Sequence, residues 1–188
     1  MAVNFRKSLA STLVVFALAS VSDAALADTV PVDLSVTFTG EIRNNTCGTA
    51  TVSGGGVVPF GDISQASFGG SAGTVGATRT FTVSFENCGD ATSGVNMWID
   101  AANSDTALNA VNNDSGGSMS QNVAVQVWSD AQQLELGSGA TPPSSPVTHV
   151  LTSAAEDITL TAKVVQTAAT LPTPGSLNAT GTLYVQYQ

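Results

Sequence analysis

The sequence predicts an all-β fold, and three observations carry that prediction. Apolar residues alternate with polar ones over several short segments, the period that places every second side chain on one face of a strand. Between those segments stand clusters of Gly, Pro, Asn and Ser, the residues of turns and loops. No stretch carries a convincing amphipathic helical pattern; Asp100 to Val111 and Ser153 to Asp157 come nearest and read as loops or a single turn. Many β-branched strands at this spacing point to a sandwich or barrel.

Residues 1–27 stand apart from that pattern. Arg6 and Lys7 precede an apolar run from Leu9 to Val21, and Ala25-Leu26-Ala27 supplies the small-x-small pattern of a cleavage site. This is the organisation of a secretory signal peptide, cleaved after Ala27. A membrane anchor would need about 18 or more uninterrupted apolar residues, whereas Ser11, Thr12, Ser20, Ser22 and Asp23 interrupt this one.

Directly after the cleavage site, Val30, Val32, Leu34, Val36 and Phe38 alternate with Pro31, Asp33, Ser35 and Thr37, so every apolar side chain falls on one face. The run continues through Gly40-Glu41-Ile42 to Cys47. Val57 to Phe60 follows a Gly54-Gly55-Gly56 turn. Thr78 to Asn87 alternates Phe81, Val83 and Phe85 against Thr80, Thr82 and Ser84 and leads into Cys88. Further strands are expected at Val95 to Ile99, Val123 to Trp128, Leu134 to Leu136, Ile158 to Val165 and Leu183 to Tyr187. The glycine clusters at 54–56, 69–76 and 116–117 read as loop punctuation. None follows a strand and opens a helix with phosphate-binding spacing, which argues against a nucleotide site.

Composition narrows the function classes. Removing residues 1–27 takes away Arg6, Lys7 and Asp23, so the 5 basic and 14 acidic residues become 3 and 13, a net charge of about −10. Nucleic acid is an implausible partner for such a chain. Only 10% of residues are charged against a usual ~25%, yet 43% are hydrophobic, unlike the low-hydrophobicity, high-charge balance of disordered chains. One folded domain is expected after the leader. The two cysteines, Cys47 and Cys88, would be exported to where disulfides persist, and they are expected to bond to each other. A single His149 adds too little to make them a zinc site.

Both ends of the mature chain raise the same question. The chain stops at Gln188, at the end of an expected strand, which leaves that strand's far edge without a covalent successor; exposed apolar edges pair with other chains. At the other end stands the best alternating segment, Val30 to Phe38, where most domains keep a loose tail. Either the two terminal strands pair within one molecule, or each pairs with a neighbour.

These residues resemble a known family. Phe38-Thr39-Gly40-Glu41-Ile42 leading to Cys47, Phe81 to Asn87 leading to Cys88, and a C-terminus with Gly175 fourteenth from the end and a penultimate Tyr187 are together similar to chaperone-usher fimbrial subunits of the type 1 pilin kind. The resemblance runs from the leader to Gln188. It implies an immunoglobulin-like β-sandwich lacking its final strand, completed by a donor strand from a periplasmic chaperone or a neighbouring subunit. The implied organisation is a signal peptide at 1–27, a donor-strand extension at 28–39 and a pilin domain at 40–188. Val30, Val32, Leu34, Val36 and Phe38 would form the donor face. Gly175, Leu183, Val185 and Tyr187 would form the C-terminal motif read by the chaperone and usher pathway. Implied partners are copies of the chain or related subunits, the chaperone and an outer-membrane usher, in a fimbrium outside the cell. At one position the chain departs from the pattern: Leu34 stands where many major subunits carry a glycine, which makes the segment read like that of a minor or tip-proximal subunit.

Other classes find less support. His149 follows Pro142-Pro143 and Pro146 in an expected loop, and no nucleophile-elbow motif accompanies it, so no catalytic activity and no cofactor are expected. A copper or zinc sandwich enzyme would need several histidines. Asp100, Asp105 and Asp114 form no EF-hand pattern. A carbohydrate-binding adhesin module could use Trp98 or Trp128 for stacking, but both fall in expected strands, where core packing is the simpler role.

Overall fold

The computed structural model describes residues 46–90 and 92–188. The leader with its cleavage site at Ala27, and the 28–39 segment with Val30, Val32, Leu34, Val36 and Phe38, lie outside the described residues.

The described chain is all β, with two 3-10 turns at Ser53–Gly56 and Gln65–Ser67. Its strands are β1 (Thr49–Val52), β2 (Val75–Glu86), β3 (Gly94–Asp100), β4 (Ser104–Asp105), β5 (Ala110–Asn112), β6 (Val123–Ser129), β7 (Gln132–Gln133), β8 (Val147–Val150), β9 (Ala155–Gln166) and β10 (Thr182–Tyr187). They form two layers. The larger sheet runs β1-β2-β9-β6-β5-β4, with β7 also on β6, and the smaller runs β10-β3-β8. All strand pairs are antiparallel. The result is an open sandwich in which β1 and β10, the first and last described strands, each have a neighbour on one side only.

The alternation in the sequence explains the layers. Val83 and Phe85 of β2, Ile158 and Leu160 of β9, and Val95, Met97 and Ile99 of β3 point into one shared core. The intervening Thr78, Thr80 and Thr159 are exposed. Thr80 is opposite Thr161, and Thr82 is opposite Thr159, so β-branched hydroxyl residues cover the outer surface of the longest strand pair, where they suit a pleated, half-solvated face. A disulfide joins Cys47, just before β1, to Cys88, just after β2.

Several expectations need correction. Val57 to Phe60 is not a strand; it is an irregular stretch after the Gly54–Gly56 turn, where all three glycines have positive φ. Leu134 to Leu136 is irregular too, touching β3 through a single bridge between Leu136 and Ile99. Asp100 to Val111, expected as loop, contains β4 and most of β5, a hairpin whose turn is held by Asp105 Oδ1 accepting from the N–H groups of Ala107 and Leu108. His149 is on β8, paired opposite Val95, and not in a loop.

Candidate functional site

The inner face of β2 is unevenly covered. Val83 and Phe85, toward the disulfide, are each 1% exposed, whereas Phe81 on the same face is only half-buried. Val125 and Val127 on β6 and Leu183 on β10 repeat the pattern, pointing inward yet incompletely covered. These residues, with Val52 and Ile99, line an open groove of 1050 Å³. One side is built from residues between Val52 and Phe68, the other from the irregular segment Pro172 to Gly181 and Leu183. Covering these half-buried apolar side chains would gain about 25 cal/mol per Å² of apolar surface removed from water.

The groove lies where both layers end. Among the described residues, the strand of Leu183, β10, pairs only with β3, and the strand of Val52, β1, pairs only with β2. Both edge strands therefore carry backbone N–H and C=O groups with no ladder partner on one side. The arrangement can take up an extended chain that supplies hydrogen bonds at its edges and alternate apolar side chains to the floor.

The C-terminal residues singled out from the sequence divide between core and wall. Leu183, Val185 and Tyr187 of β10 pack on the main core, and the Tyr187 ring meets Phe85 edge-on at 6.2 Å between centroids. Burial raises the Tyr187 hydroxyl above its ordinary pKa of 10.0. Tyr184 faces the other way, stacked on Trp98 at 5.6 Å, while Trp98 donates its Nε1–H to the Gly139 carbonyl at 3.0 Å. The strand end is held by Gln188 N–H donating to Gly94 O and Ser93 N–H to Gln188 O, both at 2.9 Å. Gly175 is not on the strand. It lies on the groove wall against the 118–120 loop, where a Cβ would stand 2.5 Å from Ser120 N and 2.6 Å from Met119 C.

A polar network that sequence reasoning missed fixes this wall. Asn113, 7% exposed, donates from Nδ2 to Ser120 O at 2.7 Å and Ser176 O at 2.9 Å, and its Oδ1 accepts from Asn178 N–H at 2.6 Å. Ser120 Oγ donates to Thr173 O at 2.7 Å, and Thr173 Oγ1 accepts from Gln121 N–H at 2.9 Å. Gln65 Nε2, from the opposite side, donates to Pro172 O at 2.6 Å. These side chains sit in loops without periodicity. The available signal was a pair of prolines and a glycine, Pro172, Pro174 and Gly175, placed just ahead of the last strand.

The remaining candidates are structural in their contacts. His149 Nε2 lies 3.5 Å from Glu156 Oε1. Glu156 is held below its ordinary pKa of 4.5, first by the Thr152 backbone N–H and then by the Thr152 hydroxyl and His149. Trp98 is 2% exposed. Trp128 is half-buried on the outer face under the Lys163 ammonium, 3.7 Å from its ring centroid, a cation–π contact. Among the described residues, no group of three or more His, Cys, Asp or Glu side chains is placed to hold a metal ion.

Comparison with known proteins agrees with this architecture. No curated protein matches the sequence. Among solved structures, the P pilus rod subunit PapA is 15% identical with a TM-score of 0.54, over 74% of this chain and 99% of that one. A subunit from a chaperone-usher pilus structure concerned with rod uncoiling is 16% identical with a TM-score of 0.57, over 84% and 97%. The Burkholderia pseudomallei antigen and type I fimbria protein is 17% identical with a TM-score of 0.54, over 74% and 100%. At these identities the likeness is one of fold. The family model described as "Fimbrial protein" matches residues 36–188, most of the sequence and all of both sheets, and the chain belongs to that family of structural, non-catalytic fimbrial subunits.

Proposed function

We propose that this subunit assembles by strand addition, its groove receiving an extended segment from a neighbour while its own 28–39 segment enters the groove of the next. The observation that carries this reading is the apolar floor left open between two edge strands, β1 and β10. The donor face Val30, Val32, Leu34, Val36 and Phe38 has the period such a floor requires. Burying five side chains of this kind is worth on the order of 10 kcal/mol before ordering costs. In the same reading residues 1–27 direct export and are removed after Ala27, and residues 40–188 form the pilin domain. A periplasmic chaperone occupies the groove before assembly and reads Gly175, Leu183, Val185 and Tyr187. An outer-membrane usher then places the subunit in a fimbrium on the bacterial surface, where it supports adhesion.

Leu34 favours a second reading for position in the fibre, a minor or tip-proximal subunit in place of the repeating one. One experiment addresses both. The mature subunit is purified with its chaperone and incubated alone, and size is followed by light scattering beside a chain lacking Asp28 to Phe38. SDS-resistant fibres from the full chain and none from the shortened one identify a self-assembling subunit. Assembly by neither, restored when a related subunit with a free extension is added, identifies the minor one. Fibres from both overturn strand donation by this segment.

A further inference from the structure

We infer that Asn113 is a positioning residue for strand capture, its buried carboxamide holding residues 173–178 where one end of the incoming strand must fit. The inference rests on the strand-addition reading and adds to it the residue that sets the shape of one groove end.

The wall has little structure of its own. Between β9 and β10, residues 167–181 contribute no strand, and among the described residues a single bridge between Met119 and Ser176 is their only β pairing. Pro172 and Pro174 have no N–H to offer a ladder. The wall is held from outside instead. Asn113 uses both amide hydrogens and its carbonyl on the two loops at once, joining Ser120 and Ser176 through Nδ2 and Asn178 through Oδ1. Asn113 is itself anchored to the larger sheet, since its N–H donates to Val123 O at 3.2 Å, at the start of β6. Its main-chain carbonyl accepts from Asn103 Nδ2 at 3.0 Å. The held segment bears directly on the floor: Ser120, Thr173, Gly175, Ser176 and Leu177 all line the groove, and Leu177 packs against the cluster of Phe68, Val123 and Val164.

Removing a buried carboxamide leaves its former partners without that bond in a place water reaches poorly. The 173–178 wall then loses its fixed distance from the floor. A residue acting only on stability would weaken capture of any strand to the same degree. A residue that positions one wall weakens capture only of strands long enough to reach it.

The test uses the chaperone-bound subunit, wild type and Asn113→Ala, mixed with a synthetic peptide of residues 28–38 while chaperone release is timed. Two shorter peptides, one lacking Asp28 to Val32 and one lacking Val36 to Phe38, run beside it. The expected result is release at least tenfold slower from Asn113→Ala with the full peptide. One shortened peptide keeps the difference, and the other, lacking the end that reaches the wall, releases chaperone from both proteins at the same rate. Equal slowing with all three peptides, or no slowing, overturns the positioning role. Failure of the full peptide to release chaperone from the wild type overturns strand donation by this segment, and the role with it. Should Asn113→Ala not be recovered with its chaperone, Ser120→Ala, which removes only the bond to Thr173 O, is expected to show the same peptide dependence at about threefold; its absence there overturns the role.

Discussion

Gly175 illustrates how one missing atom shapes the groove. Its backbone runs so close to the 118–120 loop that Ser176 N–H donates to Ser118 O at 2.8 Å and Ser120 N–H donates back to Ser176 O at 2.9 Å. A methyl group at this position would overlap main-chain atoms, which cannot swing aside as a side chain does. Gly175→Ala should therefore separate the two loops and cost about 1–3 kcal/mol, the usual range for overpacking, read as a lower denaturation midpoint. An unchanged midpoint would show that the loops part without cost. Tyr187 gives a residue-scale prediction about pH. Burial raises its pKa above 10.0, so the folded chain prefers the neutral phenol and the unfolded chain ionises first. Its contribution is then complete below pH 10 and is lost as pH climbs from the unfolded toward the folded pKa. Tyr187→Phe should flatten that alkaline decline in thermal midpoint between about pH 9.5 and 11, the span around the ordinary tyrosine value; identical declines would assign the effect elsewhere.

At the scale of elements, β10 and β1 each have one strand partner among the described residues. In the chain without a donor, the β10 amides not bonded to β3 should exchange hydrogen quickly, and binding of a donor peptide should slow them while leaving the amides bonded to β3 unchanged. Val57 to Phe60, on the opposite side of the groove, should gain protection in the same experiment. This segment also explains where sequence reading succeeds and where it stops. Val57-Val58-Pro59-Phe60 has strand composition, but among the described residues no strand pairs with it, and Arg79 Nη2 bonding Phe60 O at 3.0 Å is no substitute for a ladder. Local pattern reports what a segment suits, not whether a partner is present. The long strands β2, β9 and β6 were legible because each alternates over a buried face. The short β4, β5 and β7 were not, since two or three residues cannot display a period. One edge of the groove was legible in the last strand, whose far side the sequence left without a partner. The Asn113 wall was not, because a loop asparagine carries no pattern until folding shows which carbonyls it meets.

The whole molecule combines an incomplete core with a firm cross-link and a one-sided charge. The disulfide closes a loop of sequence separation 41 and ties the segment before β1 to the end of β2. In the chain-entropy model such a loop is worth about 4 kcal/mol. A large part of the stability of a sandwich missing a strand should therefore vanish in Cys47→Ser/Cys88→Ser, read as a denaturation midpoint far below that of the oxidised chain. Charge acts between molecules. The chain carries a formal net charge of −9. Of its cations, Arg79 is bonded to the backbone carbonyls of Thr78 and Phe60, and Lys163 lies over Trp128. Copies that must meet for strand addition thus repel one another at long range, while the groove floor that rewards the encounter is apolar and insensitive to salt. Screening shortens the repulsion from about 30 Å at 0.01 M ionic strength to about 8 Å at 0.15 M. Assembly should consequently speed up several-fold over that interval, with the stability of finished fibres little changed. If rates fall instead as salt is added, attraction between opposite charges governs the encounter, and Arg43, Arg79 and Lys163 are the only side chains of the mature chain that could supply the positive partner.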